Sequence, residues 1–179
     1  MNAAEIALQQ LIARVAQAAP VAPEPKADPA TLTAFFRQHR IADTSFLYRW
    51  LRLCNGWHLR HGTLYGVGTG SADTDLGILW RMWPDWMARR WLPIADNGHG
   101  ATYVIALNAF GAGPVYCIDP VLDESRPQFI AASDLYYFAQ FFLHAELGDT
   151  GWPYTAAHVK RLDPQITNIK SAPLPWERA

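Results

Sequence analysis

Apolar positions change period several times along this chain, and each change marks an element. Leu8, Leu11, Ile12 and Val15 follow the i, i+3, i+4, i+7 spacing of one helix face, which predicts an amphipathic helix over residues 1–19. The proline-dense run "APVAPEPKADP" (Ala19–Pro29) ends that pattern and reads as an extended linker over 20–28. Asp28 followed by Pro29 opens a second helix, with a carboxylate for the free N–H groups and a preset φ for the first turn. Its inward residues are Leu32, Phe35 and Phe36. Asp43-Thr44-Ser45 opens a third, with Leu47, Trp50, Leu51 and Cys54 on one face and Asn55-Gly56 as the stop.

Beyond Gly56 the helical period gives way. Residues Leu64 to Leu79 predict a short strand, a glycine-rich loop and a second strand, and "WRMWPDWMARRW" (Trp80–Trp91) a short helix broken at Pro84. Three strands follow at Trp91–Ala95, Thr102–Leu107 and Val115–Ile118, joined by the reversals "DNGHG" and "NAFGAG". Trp91 is expected to be a core anchor. Ser133 is expected to cap a strong helix carrying Leu135, Phe138, Ala139 and Phe142, which Gly148 ends; a short helix around Ala156–Leu162 lies in the tail. Helices, then an antiparallel meander, then a helix give an α+β domain, its antiparallel or mixed sheet packed with helices. The compact part spans 29–147, with 148–179 as a C-terminal extension. Because the proline run offers no continuous structure to transmit packing, residues before Asp28 are expected to be dispensable for the core.

Composition narrows the functional classes. Apolar residues make up 50% and charged residues 17%, so the chain folds rather than remaining disordered. A net charge of −1 removes the basic excess expected of a direct nucleic-acid or acidic-membrane binder. No apolar run reaches the roughly 18 residues needed to cross a bilayer. Glu5 and Arg14 spoil a secretory leader, so the protein is expected to be cytoplasmic. Cys54 and Cys117 sit in apolar runs and read as buried thiols of a reducing compartment.

Each test for chemistry returns an incomplete pattern. "GVGTGS" (Gly66–Ser71) lacks the third glycine and the βαβ setting of a dinucleotide fingerprint, and there is no Gly-Lys-Ser/Thr phosphate loop. Asp73, Asp75 and Gly77 lack the remaining ligands of a calcium loop. His144 and Glu146 lack the Pro-Cys-x-x-Cys that a zinc deaminase needs. His58, His61 and His99 are left as a remote metal set, without a carboxylate at ligand spacing. No Gly-x-Ser-x-Gly elbow is present. Trp80, Trp83, Trp86 and Trp91 would need a basic groove to stack bases; core packing or a protein interface suits them better. No catalytic residue, cofactor or metal site is assigned, and the chain reads as a non-enzyme.

Several stretches taken together resemble one family. "FLYRWLRLCNGW" ends a helix in Asn55-Gly56 and leads to "GTLYG"; "WLPIADNGHGATYVIAL" is followed by "GPVYCID" and "IAASDLYYFAQFFL". Their order and spacing, from about Thr31 to Leu147, resemble the SUKH superfamily, which includes yeast cell-wall assembly regulators and bacterial immunity proteins. Trp91, Leu92, Ile94, Ala95, Asp96 and Gly98 match its central strand, Tyr103 the next, Gly113, Val115 and Asp119 the one after, and Ala132-Ser133 the helix start. Leu107-Asn108 departs from the acidic residue usual at that point.

The resemblance implies a non-catalytic binding domain, and for bacterial members an immunity protein that neutralises a cognate toxin, of nuclease or deaminase class. The alternative is a regulatory or scaffold module of the same fold. A nuclease must present a basic surface to phosphate, so the loop acids Asp73, Asp75, Asp96, Asp119, Asp123 and Glu124 are expected to share a partner-binding face, with Trp83 and Trp86 as the apolar candidates.

Overall fold

The first apolar stripe forms α1 (Ala3–Ala18) in the computed structural model, which describes residues 3–108, 113–148 and 155–177. Its Leu8, Leu11 and Val15 are all buried, in one continuous cluster with the rest of the core. The expectation that residues before Asp28 stand apart is therefore corrected: α1 is part of the packed core. The proline run is also held. Trp57 Nε1 donates to Val21 O at 2.7 Å, and Glu24 N donates to Gly56 O at 2.9 Å. Proline removes donors, not acceptors, so an extended segment can still be fastened through its carbonyls.

Local capping opens the next two helices. Asp28 accepts from Thr31 N at 2.8 Å to start α2 (Pro29–Gln38), and Ser45 Oγ accepts from Tyr48 N at 3.3 Å to start α3 (Phe46–Leu53). After α3 the chain buries Asn55. Its amide donates to Pro25 O and Val67 O and accepts from Val67 N at 2.8 Å, joining linker, helix end and the following loop. Gly66 passes so close that a Cβ there would lie 2.1 Å from Asn55 O, so no other residue fits without a shift.

Six strands follow in chain order as an antiparallel meander: β1 (Trp57–Leu59), β2 (Gly62–Leu64), β3 (Trp91–Asp96), β4 (Thr102–Ala106), β5 (Val115–Ile118) and β6 (Phe129–Ala132). With eight α-helices among the described residues, the fold is α+β. The strands read at 91–95, 102–107 and 115–118 are present; β1 and β6 were not foreseen. All four residues of β6 are buried, so the run lacks the alternation that reveals a half-exposed strand. The "DNGHG" reversal is a turn: Asn97 Oδ1 accepts from His99 N and Ala101 N, and Gly98 and Gly100 hold φ of 70° and 99°. The second reversal lies largely outside the described residues, at 109–112.

Between β2 and β3 the expected second strand is instead a helix, α4 (Leu76–Arg81), followed by α5 (Pro84–Ala88). Asp75 supplies the reason, since its carboxylate caps Ile78 N at 3.0 Å and starts a helical turn. Pro84 does not break a helix; it occupies the first turn of α5. A further short helix, α6 (Pro120–Asp123), links β5 to β6.

Then comes α7 (Leu135–Glu146), capped by Asp134, whose carboxylate accepts from Tyr137 N at 3.0 Å. The expected cap, Ser133, is engaged elsewhere: its N–H and hydroxyl both donate to buried Asp163, at 2.7 and 2.6 Å. Asp163 follows α8 (Ala156–Leu162), the tail helix read from the sequence. Val159, Ile166 and Leu174 of the tail are buried, and Pro173 O accepts from Ile130 N of β6 at 2.9 Å. The C-terminal extension is thus continuous with the core.

Strand alternation sets the two faces of the sheet. Tyr103 of β4 meets Phe138 and Phe142 of α7 at 5.0 and 6.1 Å, while α1 packs against α7 in turn. Tyr116 stands one position out of phase with Cys117, the partner of Tyr103, and so faces the other way. Its hydroxyl lies 2.6 Å from Ser171 Oγ of the tail. Trp91, 6.1 Å from Tyr116, is only half-buried beneath the Arg89 guanidinium at 4.9 Å. Trp91 thus packs against the core from its edge, at the start of β3, rather than lying fully inside it. No described helix is long and apolar enough to cross a membrane.

Candidate functional site

Half of the loop acids singled out above cap helices or join strands. Asp75 caps α4 and also accepts from Thr69 N at 3.2 Å. Asp96 accepts from Gly98 N, Thr63 N and the Tyr65 hydroxyl at 2.8, 3.2 and 3.0 Å, stitching β2 to the end of β3. Burial, reinforced by the Asp96 charge and hydrogen bond, raises the Tyr65 phenol above its ordinary range. Asp119 caps α6 by accepting from Val121 N at 3.0 Å. Oxygens that cap a helix or join two strands are poor candidates for a partner's cations, because recruiting them undoes that element.

The remaining acids divide by position. Asp73 is exposed in the loop before α4, whereas Met82 and Trp83 follow the end of that helix. Six helical residues span about 9 Å, so the two lie at opposite ends of α4. The structure brings Trp83, Trp86, Asp123 and Glu124 together and leaves Asp73 and Asp75 elsewhere.

That group is built from α5 and α6. Trp83 stacks on buried Trp86 with ring centroids 4.6 Å apart and planes 18° from parallel. The Trp86 indole donates to Glu124 O at 2.8 Å, and Arg89 Nη1 donates to Ser125 O at 2.6 Å, fastening α5 to the segment after α6. A shallow groove of about 340 Å³ results, lined by Met82, Trp83, Pro84, Asp85, Trp86 and Glu124. Beside it Val121 and Leu122 project from α6 at 88% and 75% exposure, with Met82 at 64%. Asp123 accepts from Ser125 N and Oγ, which, with the Arg126 and Arg89 charges, holds its carboxyl below the usual range. Exposed aliphatics gathered beside fixed charges mark interaction surfaces more often than chemistry.

The other candidates disperse. Trp80 and Trp86 are buried, so the four indoles form no stacking platform. His61 and His99 lie in the adjacent β1–β2 and β3–β4 turns, but among the described residues no three His, Cys, Asp or Glu side chains converge to hold a metal ion. Cys54 and Cys117 are free and buried, and burial pushes the Cys54 thiol up to about 12. Glu146 is buried with its carboxylate accepting from Arg60 N and His61 N at 3.1 and 2.6 Å, tying the end of α7 to the β1–β2 turn. Sequence reasoning missed Met82, Asp85, Val121 and Leu122. The one available signal for the last two was an aliphatic pair inside the otherwise polar "DPVLDESRPQ".

No family model, curated protein or solved structure matches the chain. What the fold and surface define is a class: an α+β domain whose most exposed large apolar side chains, among the described residues, lie at α5 and α6.

Proposed function

We propose that this chain is a non-catalytic protein-binding domain of SUKH type, acting as an immunity protein that seats on a cognate bacterial toxin through residues 82–86 and 120–124. The observation that carries the reading is the exposure of Met82, Val121 and Leu122 beside the carboxylates of Asp85, Asp123 and Glu124. An aliphatic centre supplies binding energy when water is excluded, and a charged rim sets the approach and the choice of partner. A toxin that handles nucleic acid offers the basic surface such a rim attracts. The motif order from "FLYRWLRLCNGW" to "IAASDLYYFAQFFL" supports the family side of the reading, and buried Asn55 gives its Asn-Gly pair a physical purpose.

The test begins with the reading frames beside this one. The C-terminal domain of a secreted product encoded there is expressed with and without this chain. Growth arrest relieved only by co-expression, with a stable complex that Leu122→Glu dissociates, is the expected result. Arrest that co-expression fails to relieve overturns the proposal.

A further inference from the structure

We infer that the β3–β4 turn is a self-modification site: Asn97 closes on the Gly98 nitrogen to a succinimide and opens to aspartate and isoaspartate, while Asn55-Gly56 is held inert. Nothing in this depends on the toxin reading, since it uses only groups of the turn and water. The chain contains two Asn-Gly pairs, and both start with the same local chemistry, because a glycine after asparagine presents its nitrogen with no Cβ in the way. What separates them is the fold. Asn55 is 3% exposed, and Gly56 is buried beside it. The Asn55 amide nitrogen donates to Pro25 O and Val67 O at 3.2 and 3.1 Å, and its Oδ1 accepts from Val67 N at 2.8 Å. Losing that nitrogen as ammonia breaks two bonds and strands Val67 O in the interior.

Asn97 is arranged the other way round, with Gly98, His99 and Gly100 all exposed. Its Oδ1 accepts from His99 N at 2.9 Å and Ala101 N at 3.0 Å. Two N–H groups therefore already face the oxygen that gathers negative charge as the ring closes, the arrangement of an oxyanion hole. Its Nδ2, the leaving group, holds no acceptor among the described residues. The Gly98 N–H donates to Asp96 Oδ1 at 2.8 Å, so the proton that must leave has an acceptor within reach. The Gly98 nitrogen bonds to Asn97 Cγ, the Cγ–Nδ2 bond breaks, and ammonia departs with the proton that Gly98 gave up, passed through Asp96 and solvent. Water then opens the ring at either carbonyl, to aspartate or to isoaspartate. In sum one water is consumed and one ammonia released, with no oxidant or reductant. Aspartate keeps an oxygen for His99 N and Ala101 N. Isoaspartate runs the backbone through the side chain, which lengthens the turn and spoils the bond from Asn97 N to Ala101 O, 3.0 Å in the parent.

The full chain, folded and in urea, is incubated in mildly alkaline buffer, and both sites are read by peptide mass mapping with enzymatic methylation of isoaspartate. In urea both asparagines convert at similar rates. In the folded chain Asn97 stays within about tenfold of its unfolded rate, because an exposed turn needs only local opening. Asn55 slows by about 10³-fold or more, since it reacts only in the small fraction of chains that are unfolded. Asn97→Asp abolishes ammonia release from the folded chain, and the isoaspartate fraction melts below the parent. A folded chain in which Asn97 is as slow as Asn55 overturns the inference. So does one in which Asn55 reacts as fast as Asn97, since the fold would then select nothing. Either failure leaves the toxin reading intact, because that reading is tested by growth and complex formation.

Discussion

Leu8→Ala tests whether α1 belongs to the cooperative unit or merely lies beside it. Leu8 is completely buried and shares its stripe with Leu11 and Val15, against α7. Truncating a buried leucine typically costs 2–5 kcal/mol, of which roughly half is lost transfer energy and the rest the cavity left behind. A helix that can undock sets a ceiling, because the loss cannot exceed the free energy of docking. The three buried side chains contribute about 1.5–3 kcal/mol each as an upper estimate, so the ceiling is high enough for the full cavity cost to appear. The Glu5–Arg49 contact, Oε1 to Nε at 2.7 Å, adds a further tie between α1 and α3. The assay is urea unfolding of the full chain, Leu8→Ala, and a chain starting at Pro20. With m of about 2 kcal/mol/M, the midpoint of Leu8→Ala falls by about 1–2.5 M, and the truncated chain falls further. Midpoints for both variants within about 0.3 M of the parent, a difference of ~0.6 kcal/mol, would refute the reasoning.

Three further outcomes follow from the same accounting. Glu146→Ala strands the N–H groups of Arg60 and His61, and costs about 2–5 kcal/mol in urea unfolding; Glu146→Gln, which retains one acceptor oxygen, costs less. Asp75→Lys removes the α4 cap and lowers stability by about 1–2 kcal/mol, whereas Asp73→Lys, exposed and uncapping nothing, stays within about 0.5 kcal/mol, both read from thermal melts. The Cys54 thiol keeps its proton in the fold up to about 12, against an ordinary value of 9.0. The native state therefore binds more protons than the unfolded chain above pH 9, so stability falls as pH rises through that window, by at most about 1.4 kcal/mol per pH unit from this group. Tyr65, also raised, adds a loss of the same sign above pH 10, and a thiol reagent at pH 8 labels both cysteines only in denaturant.

Much of the local architecture was legible in the sequence by itself. Asp28-Pro29, Ser45 and the "DNGHG" turn were all readable, because a cap or a turn is completed by groups two to four residues away. The meander's central strands and the α+β class followed from alternation and order. The errors share a different origin. Asp75 carried the same cap signal as Asp28, but the glycines around it suggested a loop between strands, and α4 went unread. Strands β1 and β6 are too short, and β6 too thoroughly buried, to carry a period. Tertiary structure alone decided that α1 and the tail join the core, that Ser133 serves Asp163 thirty residues away, and that Glu146 reaches the turn at Arg60. It also decided which acids remain available, since Asp96 is spent on Thr63 and Tyr65, and which aliphatic pair is left uncovered, at Val121 and Leu122. Periodicity reports which side chains leave water. It does not specify the acceptor a distant N–H will find, or which apolar side chains the packed chain leaves uncovered.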